Sequence, residues 1–262
     1  MQRRRSVRRV MADPSVVHSP THIEKRQDRG RRRRVLENPS PPAQHNTHRD
    51  HRPQIDYRAT YSSVSPIFKG ETIYIIGGGP SLKNFDFRQL EGSKTIAINK
   101  ALFYHDSSQV LYWTDTRFYS WYKNDIDNYK GLKYTLKPGS QYTNDIKLLK
   151  KGKPYGLEKD PDYLAHGFNS GYAAINLAYH LGAAKIILLG FDMCNSGNET
   201  HFHDGYPTRG TSDKMYIDKF IPGFKELKSE ILNENVQIYN ASAHSMITVF
   251  PKITIEQALS FR

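Results

Sequence analysis

Cysteine, long apolar runs and a leader-type segment are the features that this sequence lacks or has little of. The single cysteine, Cys194, excludes an intramolecular disulfide and fits a protein kept in a reducing compartment. No stretch reaches the roughly 18 consecutive apolar residues of a transmembrane helix, so we expect no membrane span. No apolar segment follows Arg3 to Arg5, so we expect neither a secretory nor a twin-arginine signal. Together these absences predict a cytoplasmic protein.

The net charge of +12 is concentrated in the first part of the chain. Residues 1–58 hold 15 of the 38 Lys and Arg but 6 of the 26 Asp and Glu, and the remainder is nearly neutral. Residues 1–66 are rich in Arg, Pro, His and Ser, a composition that buries too little apolar surface to fold, so we predict a disordered basic tail. The tail is either a solvated extension or an arm that binds a polyanion such as nucleic acid. Residues 67–262 suffice for one α/β domain.

Residues 67–262 alternate between strand-like and helix-like segments. This alternation predicts a single α/β domain with a Rossmann-like, doubly wound and mostly parallel sheet. Ligands of such sheets bind beyond the carboxyl ends of the strands, so residues that end strands are candidates for a site. The predicted strands are 72–76, 95–98, 109–114, 132–136, 185–189 and 236–239, and the predicted helices are 81–90, 117–126, 143–151, 170–182, 215–233 and 254–260.

A glycine turn after the first predicted strand is the strongest signal of a nucleotide site. Residues 77–81 read Gly-Gly-Gly-Pro-Ser, and glycine lets the backbone approach a phosphate at the start of a helix. No Gly-Lys-Ser/Thr follows, which excludes a Walker A loop, and Leu82 stands where the dinucleotide fingerprint has its third glycine. We expect a side chain at Gly79 to block the phosphate and leave the fold intact; a purely structural turn is the alternative. The predicted phosphate contacts are Gly78, Gly79, Pro80 and Ser81.

Two further segments are predicted to complete the nucleotide site. The second strand ends on Asn99, where NAD-binding proteins have an acid; the amide disfavours NAD and suits a ribose hydroxyl or a base edge. Asn169, Ser170 and Gly171 precede a helix with one apolar face, and a helix N-terminus attracts phosphate. A plain N-cap is the alternative interpretation of Ser170.

The order of these motifs resembles a known family over about residues 70–260. The motifs look like those of the domain-115 group, which includes archaeal-type 6-hydroxymethylpterin diphosphokinases and has relatives in phages. More remotely, they are similar to those of the bacterial α-2,3/2,8-sialyltransferases. The matching segments are the glycine turn, Ile98-Asn99-Lys100, Thr114-Asp115, Asn169-Ser170-Gly171-Tyr172 and Leu189-Gly190-Phe191-Asp192.

The resemblance implies a nucleotide-dependent transferase. The sialyltransferase likeness implies a CMP-sugar donor with no essential metal, and the diphosphokinase likeness implies ATP with Mg²⁺. In either case the nucleotide contacts are carried over to Gly78, Gly79, Ser81, Asn99, Ser170 and Gly171.

Candidate catalytic side chains follow the predicted strand 185–189. His201 and His203 face one side of an extended segment, and a histidine near neutral pH can deprotonate an acceptor hydroxyl. We predict His203 as the general base, with Asp204 or Asp192 orienting it. Two loop histidines without a chemical role are the alternative, and one His-x-His pair lacks the further ligands of a zinc site.

Two carboxylates end predicted strands. Asp115 and Asp192 are placed to hold Mg²⁺ or a ribose, because hard cations prefer carboxylate oxygens. Capping of the following helix is the rival role for each of them. We assign no residue as a metal ligand.

Three functions remain open from the sequence. The first is a glycosyltransferase-like enzyme that moves a sugar from a CMP-sugar or other nucleotide sugar to an acceptor hydroxyl of a glycan or small molecule. The second is a pyrophosphokinase acting on a pterin-like alcohol with ATP and Mg²⁺. The third is a non-catalytic nucleotide-binding accessory protein whose basic tail is its working part.

Overall fold

The computed structural model of the chain describes residues 61–139, 142–197, 199–204, 206–207 and 211–262. Residues 1–60, which hold most of the predicted basic tail, lie outside this part of the chain. Among the described residues, no helix is both long and apolar enough to cross a membrane.

Within the described part of the chain, seven parallel strands form the central sheet, in the order β5-β4-β3-β2-β1-β8-β9. The order runs outward from β1 in both directions, so the sheet is doubly wound and the predicted Rossmann-like α/β fold is confirmed. A separate pair of short parallel strands, β6 and β7, forms a second sheet. The strands are β1 Thr72–Ile76, β2 Lys94–Ile98, β3 Val110–Trp113, β4 Leu132–Thr135, β5 Ile146–Leu148, β6 Lys150–Lys151, β7 Tyr163–Leu164, β8 Lys185–Leu189 and β9 Gln237–Asn240.

Apolar residues of the central strands are buried on both faces of the sheet. Along β1, Ile73 and Ile75 belong to one core cluster, while Tyr74 and Ile76 belong to another. This division follows from the period of two, which sends successive side chains of a strand to opposite faces. Burial on both faces explains why these strands read as continuous apolar runs in the sequence.

Helices cover the two faces of the sheet. The first face packs against α3 and α5, and the second against α1, α2 and α6. The helices are α1 Thr116–Trp121, α2 Lys123–Asn128, α3 Ser170–His180, α4 Asp213–Met215, α5 Gly223–Leu232 and α6 Ile255–Leu259, with 3₁₀ turns at Pro80–Leu82, Phe87–Leu90 and Asn99–Phe103 and a π-helical turn at Tyr216–Phe220.

Four predicted helices differ from the structure. The helix predicted at 117–126 is divided at Tyr122 into α1 and α2. Residues 81–90 contain two short 3₁₀ turns instead of one helix, and residues 143–151 contain β5 and β6. Ile146 and Leu148 are buried and Lys147 is half-buried, which is the alternation of a strand. Residues 215–233 are interrupted at Pro222, because proline lacks the amide that would continue the hydrogen bonding of the π-helical turn.

The first residues that the structure describes, 61–64, already contact the folded body. The amide of Ser62 donates to the carbonyl of Leu148 at 2.8 Å, and the amide of Val64 donates to Pro161 at 3.1 Å. Val64 is 4% exposed and belongs to the first core cluster. The domain boundary predicted after residue 66 stays a prediction, and residues 61–64 are part of the packing in the structure.

Candidate functional site

A cleft of about 170 Å³ opens at the carboxyl ends of β1, β2 and β8. This is the edge at which doubly wound sheets bind ligands. Seven of the residues predicted for the site line this cleft together: Gly78, Gly79, Asn99, Asn169, Ser170, Gly171 and His201. Pro80, Ser81, Asp115, Asp192 and His203 are not among the described residues that line it.

The glycine turn is hydrogen-bonded to the end of β8. The amide of Gly79 donates to the carbonyl of Gly190 at 2.8 Å, so it is already engaged by the protein. A Cβ at Gly79 would lie 1.7 Å from Oδ2 of Asp192 and 2.6 Å from the Gly190 carbonyl oxygen. Glycine is therefore required at position 79 by the close approach of two strand ends. The expectation that a side chain there leaves the fold intact is wrong.

Gly78 is the glycine of the turn that faces the histidines. A Cβ built there would lie 3.0 Å from Cδ2 of His201 and 3.8 Å from Nε2 of His203. Its carbonyl accepts the amide of Phe202 at 3.0 Å, which joins the turn to the histidine segment. The turn itself is followed by a 3₁₀ turn of three residues, too short to provide the helix N-terminus that the sequence predicted here.

Asn99 occupies a strained position at the end of β2. Its φ of 52° lies in the left-handed region, which few residues other than glycine adopt. Its side-chain Oδ1 is buried and accepts no hydrogen bond from any described residue, while the same side chain is hydrogen-bonded to the Tyr206 phenol. A buried acceptor without a donor costs about 1–3 kcal/mol, so this oxygen is suited to a ligand that donates a hydrogen bond.

The N-terminus of α3 provides the helix end at the cleft. Asn169 caps this helix of 11 residues, because its Oδ1 accepts the amide of Tyr172 at 2.8 Å. The Oγ of Ser170 lies 2.8 Å from Oγ1 of Thr114, at the end of β3. A Cβ at Gly171 would lie 2.8 Å from the ring of Phe191, so glycine is needed there for packing. The positive end of the helix dipole faces the cleft through Ser170 and Gly171.

His201 and His203 come together as predicted, with stacked rings whose centroids are 4.8 Å apart. His201 lines the cleft, and Oγ1 of Thr200 lies 2.8 Å from its Nδ1. Burial, and then the nearby charge of Lys100, lowers the pKa of His201 below its ordinary value of 6.5. His201 is therefore a neutral imidazole near pH 7.

His203 is the more deeply buried histidine, 9% exposed. Burial first, and then the charges of His201 and Lys100, lowers the pKa of His203 to about 3, while Asp204 acts in the opposite direction. A pKa so far below neutral makes an imidazole a weak general base.

The predicted orienting and metal-binding carboxylates have other partners. Asp204 forms an ion pair with the buried Lys100. Asp192 accepts the hydroxyl of Ser81 at 2.9 Å, and burial raises the pKa of this carboxyl. Asp115 caps α1 and pairs with Arg117, which holds its pKa below the ordinary value.

Asp115 and Asp192 do not form a common site. They follow β3 and β8, and these strands are separated in the sheet by β2 and β1. Among the described residues, no three His, Cys, Asp or Glu side chains converge on a possible metal position. The arrangement therefore does not provide the carboxylate pair that the sequence suggested for Mg²⁺.

The structure adds residues to the site that the sequence analysis did not select. Burial raises the pKa of Tyr206, so its phenol remains protonated, and its ring contacts both histidines edge-on at 5.1 and 5.0 Å. It lies three residues after His203, but nothing in the local pattern indicated that its ring would turn back onto the histidines. The other residues added are the cleft-lining Met193, Thr200, Tyr216 and Phe220. Thr114, which contacts Ser170, and the cleft-lining Phe191 belong to strand-end segments that the sequence motifs already contained.

Comparisons with known proteins give structural neighbours only. No family model matches the chain, and no curated protein matches it, so the domain-115 resemblance stays a prediction. The structure is similar to that of the monofunctional α-2,3-sialyltransferase Cst-I from Campylobacter jejuni, with 18% identity and a TM-score of 0.43 over 70% of this chain and 80% of that chain. A second neighbour is a mutant of the α-2,3/8-sialyltransferase CstII, with 15% identity and a TM-score of 0.39 over 70% of this chain and 87% of that chain.

A third neighbour is an α-2,3-sialyltransferase from Campylobacter jejuni in apo form. It has 17% identity and a TM-score of 0.40 over 73% of this chain and 84% of that chain. At these values the neighbours do not decide the activity of this chain, which has to be argued from its own cleft.

Proposed function

We propose that this protein is a nucleotide-dependent transferase of the glycosyltransferase type. It would bind a CMP-sugar or another nucleotide sugar in the cleft and transfer the sugar to a hydroxyl group of a glycan or small-molecule acceptor. The observation that carries the proposal is the buried, unpartnered Oδ1 of Asn99, held by a strained backbone beside Gly78 and the N-terminus of α3. A ribose hydroxyl or an exocyclic base amine would supply the missing donor.

The N-terminus of α3 supports a phosphate in the same cleft. The helix dipole and the amides of a first helical turn favour negative charge. Ser170 and Gly171 bring this helix end to the cleft that contains Asn99, so one nucleotide can contact both. The Gly79 amide was predicted to bind the phosphate, but it donates its hydrogen bond to the Gly190 carbonyl. We assign phosphate binding to the N-terminus of α3 instead.

His201 is proposed as the general base. It lines the cleft and is neutral near pH 7, with its Nδ1 beside the Thr200 hydroxyl, so its Nε2 can take the proton of an acceptor hydroxyl. As the acceptor oxygen bonds to the anomeric carbon, the bond from that carbon to the donor phosphate breaks and its electron pair leaves with the nucleotide. The phenol of Tyr206 also lines the cleft and stays protonated; it is hydrogen-bonded to the Lys100 backbone and the Asn99 side chain, and it would donate a hydrogen bond through its own proton to the departing phosphate.

Binding measurements on one pair of variants test the proposal. Asn99→Gly removes the orphan oxygen and suits the left-handed backbone, so we expect unchanged or higher thermal stability with at least about tenfold weaker nucleotide binding. Asn235→Gly is the matched control, because Asn235 also has a left-handed φ, of 58°, but is exposed and outside the cleft lining. Titration calorimetry with CMP, UDP and ATP, each with Mg²⁺ and with EDTA, identifies the nucleotide.

The outcomes separate the three functions. Metal-independent binding of CMP or UDP that Asn99→Gly weakens, with turnover of a matching nucleotide sugar, supports the proposal. Binding of ATP alone, and only with Mg²⁺, supports the pyrophosphokinase instead. Nucleotide binding without turnover of any donor supports the accessory protein, and equal affinities in the parent and Asn99→Gly would overturn the role of Asn99.

A further inference from the structure

The histidines are carried by a short segment, residues 199–204, that crosses the glycine turn. The segment begins with an ion pair between Glu199 and Lys83 and ends with the ion pair between Asp204 and Lys100. In the first pair both side chains are about half exposed, and Asp204 is 81% exposed. The exposed Lys83–Glu199 pair contributes little to stability. The second pair holds the end of the segment on Lys100, whose side chain is only 8% exposed.

Phe202 gives the segment its apolar contact. Its ring packs between Phe87, at a centroid distance of 5.4 Å, and Tyr104, at 4.9 Å with the planes at 71°. Phe85 extends the cluster through an edge contact with Phe87 at 5.1 Å. We call Phe85, Phe87 and Tyr104 the aromatic socket. Pairs of this geometry are worth about 0.5–1.5 kcal/mol beyond the area they bury, so the ring gives the middle of the segment a stable apolar attachment.

The same residue also joins the segment to the cleft. The amide of Phe202 donates to the Gly78 carbonyl at 3.0 Å, so backbone and side chain together fix its position. His201 and His203 flank it directly, and the Tyr104 ring of the socket also stacks on His203, with centroids 6.3 Å apart. A displacement of Phe202 therefore displaces both imidazoles relative to the glycine turn.

We propose that Phe202 is a positioning residue, which holds His201 over the glycine turn through the aromatic socket and the Gly78 carbonyl. The catalytic consequence rests on the proposed function, but the placement of the imidazoles does not. Phe202 does not line the cleft, so its loss is expected to leave the nucleotide contacts in place. A misplacement of about 1 Å can cost about 10²-fold in rate, so the effect should fall on kcat.

The test compares Phe202→Ala and Phe202→Leu with Phe103→Ala. Phe103 is a matched control, because its ring is 38% exposed and contacts Phe118 and Tyr122 outside the socket. The first readout needs no activity: NMR titration of the His201 and His203 imidazoles. The groups that face them are Lys100, Asp204, Tyr206, Tyr104, the Thr200 hydroxyl and each other. In Phe202→Ala we expect the pKa of each imidazole to rise toward 6.5, because the segment opens to water. Phe103→Ala should leave both pKa values as they are in the parent.

The second readout is kinetic. We expect Phe202→Ala to lower kcat about 10²-fold with an unchanged dissociation constant for the nucleotide, and Phe202→Leu to recover part of the loss by refilling the socket. If Phe202→Ala does not fold, the leucine variant decides by the same two readouts. If a folded Phe202 variant has the same imidazole pKa values as the parent, the positioning role is overturned. Shifted titrations in a protein that turns over no donor support it and refute only the proposed function.

Discussion

At the scale of single residues, two adjacent histidines differ in what they can do. His201 lines the cleft, whereas His203 is nearly buried and has a pKa of about 3. We expect His201→Ala to lower kcat by about 10²–10⁴-fold with little change in nucleotide affinity, and His203→Ala to cost less. Because the pKa of His201 is lowered, the rising limb of the pH–rate profile should lie below pH 6.5 and be absent in His201→Ala. Measurement of donor turnover by both variants checks this. If kcat falls further in His203→Ala than in His201→Ala, His203 is the general base.

The sequence predicted part of the set of residues that meet in the cleft, but not their contacts. Asn99, Ser170 and Gly78 were selected because they lie at strand and helix ends, and parallel strands bring their carboxyl ends to one edge. A common site for Asp115 and Asp192 failed because it depends on strand order, which local patterns do not encode. Nor does a sequence show which amides of a glycine turn the neighbouring strand has already engaged.

At the scale of elements, the glycine turn separates into a structural and a ligand-facing part. In Gly79→Ala the new Cβ meets backbone and carboxylate oxygens, so we expect the free energy of unfolding to fall by about 1–3 kcal/mol. In Gly78→Ala the nearest atom is the His201 side chain, which can give way, so stability should stay close to the parent while kcat falls. Urea denaturation and turnover of the two variants check this, and equal stability losses would contradict the division.

Element type was predictable where the pattern is long and ambiguous where it is short. The helix predicted at 170–182 is α3, since its apolar face repeats over three turns. The segment Ile146-Lys147-Leu148-Leu149-Lys150 fits both a helical face and an alternating strand, and its pairing with β4 selects the strand. Pairing between distant segments is a tertiary effect, and it overrides weak local preferences.

At the scale of the whole molecule, the start of the folded body can be located by truncation. The composition of residues 1–60 predicts a disordered tail, so we expect their removal to leave the melting temperature unchanged. Removal of residues 1–66 also deletes buried Val64 and the Ser62 and Val64 backbone bonds, and burial of one valine is worth about 1.5–3 kcal/mol. Thermal unfolding of the two truncated chains checks this. Equal melting temperatures would support the boundary at residue 66. A lower melting temperature after removal of residues 1–60 alone would mean that the folded body begins before residue 61.

The stability of the protein should fall as the pH falls from 7 to 5. Burial is the largest cause that lowers the pKa of five histidines below 6.5: His105, His166, His180, His201 and His203. The unfolded chain therefore takes up protons first as the pH falls through 6.5, and unfolding becomes easier until the folded-state values are reached, about 4 for His166. The carboxylates that form ion pairs lower the unfolding free energy further only at lower pH, because their pKa values in the unfolded chain lie near 4.

The slope of unfolding free energy against pH tests this assignment. His180→Gln should flatten the slope between pH 7 and 5, since it removes one buried proton acceptor, although it loses the ring nitrogen that lies 3.0 Å from the Tyr163 carbonyl oxygen. Guanidinium denaturation of the parent and of His180→Gln at intervals across this range measures the slopes. A parent stability that stays constant or rises on acidification would mean that these histidines are not held neutral by the fold.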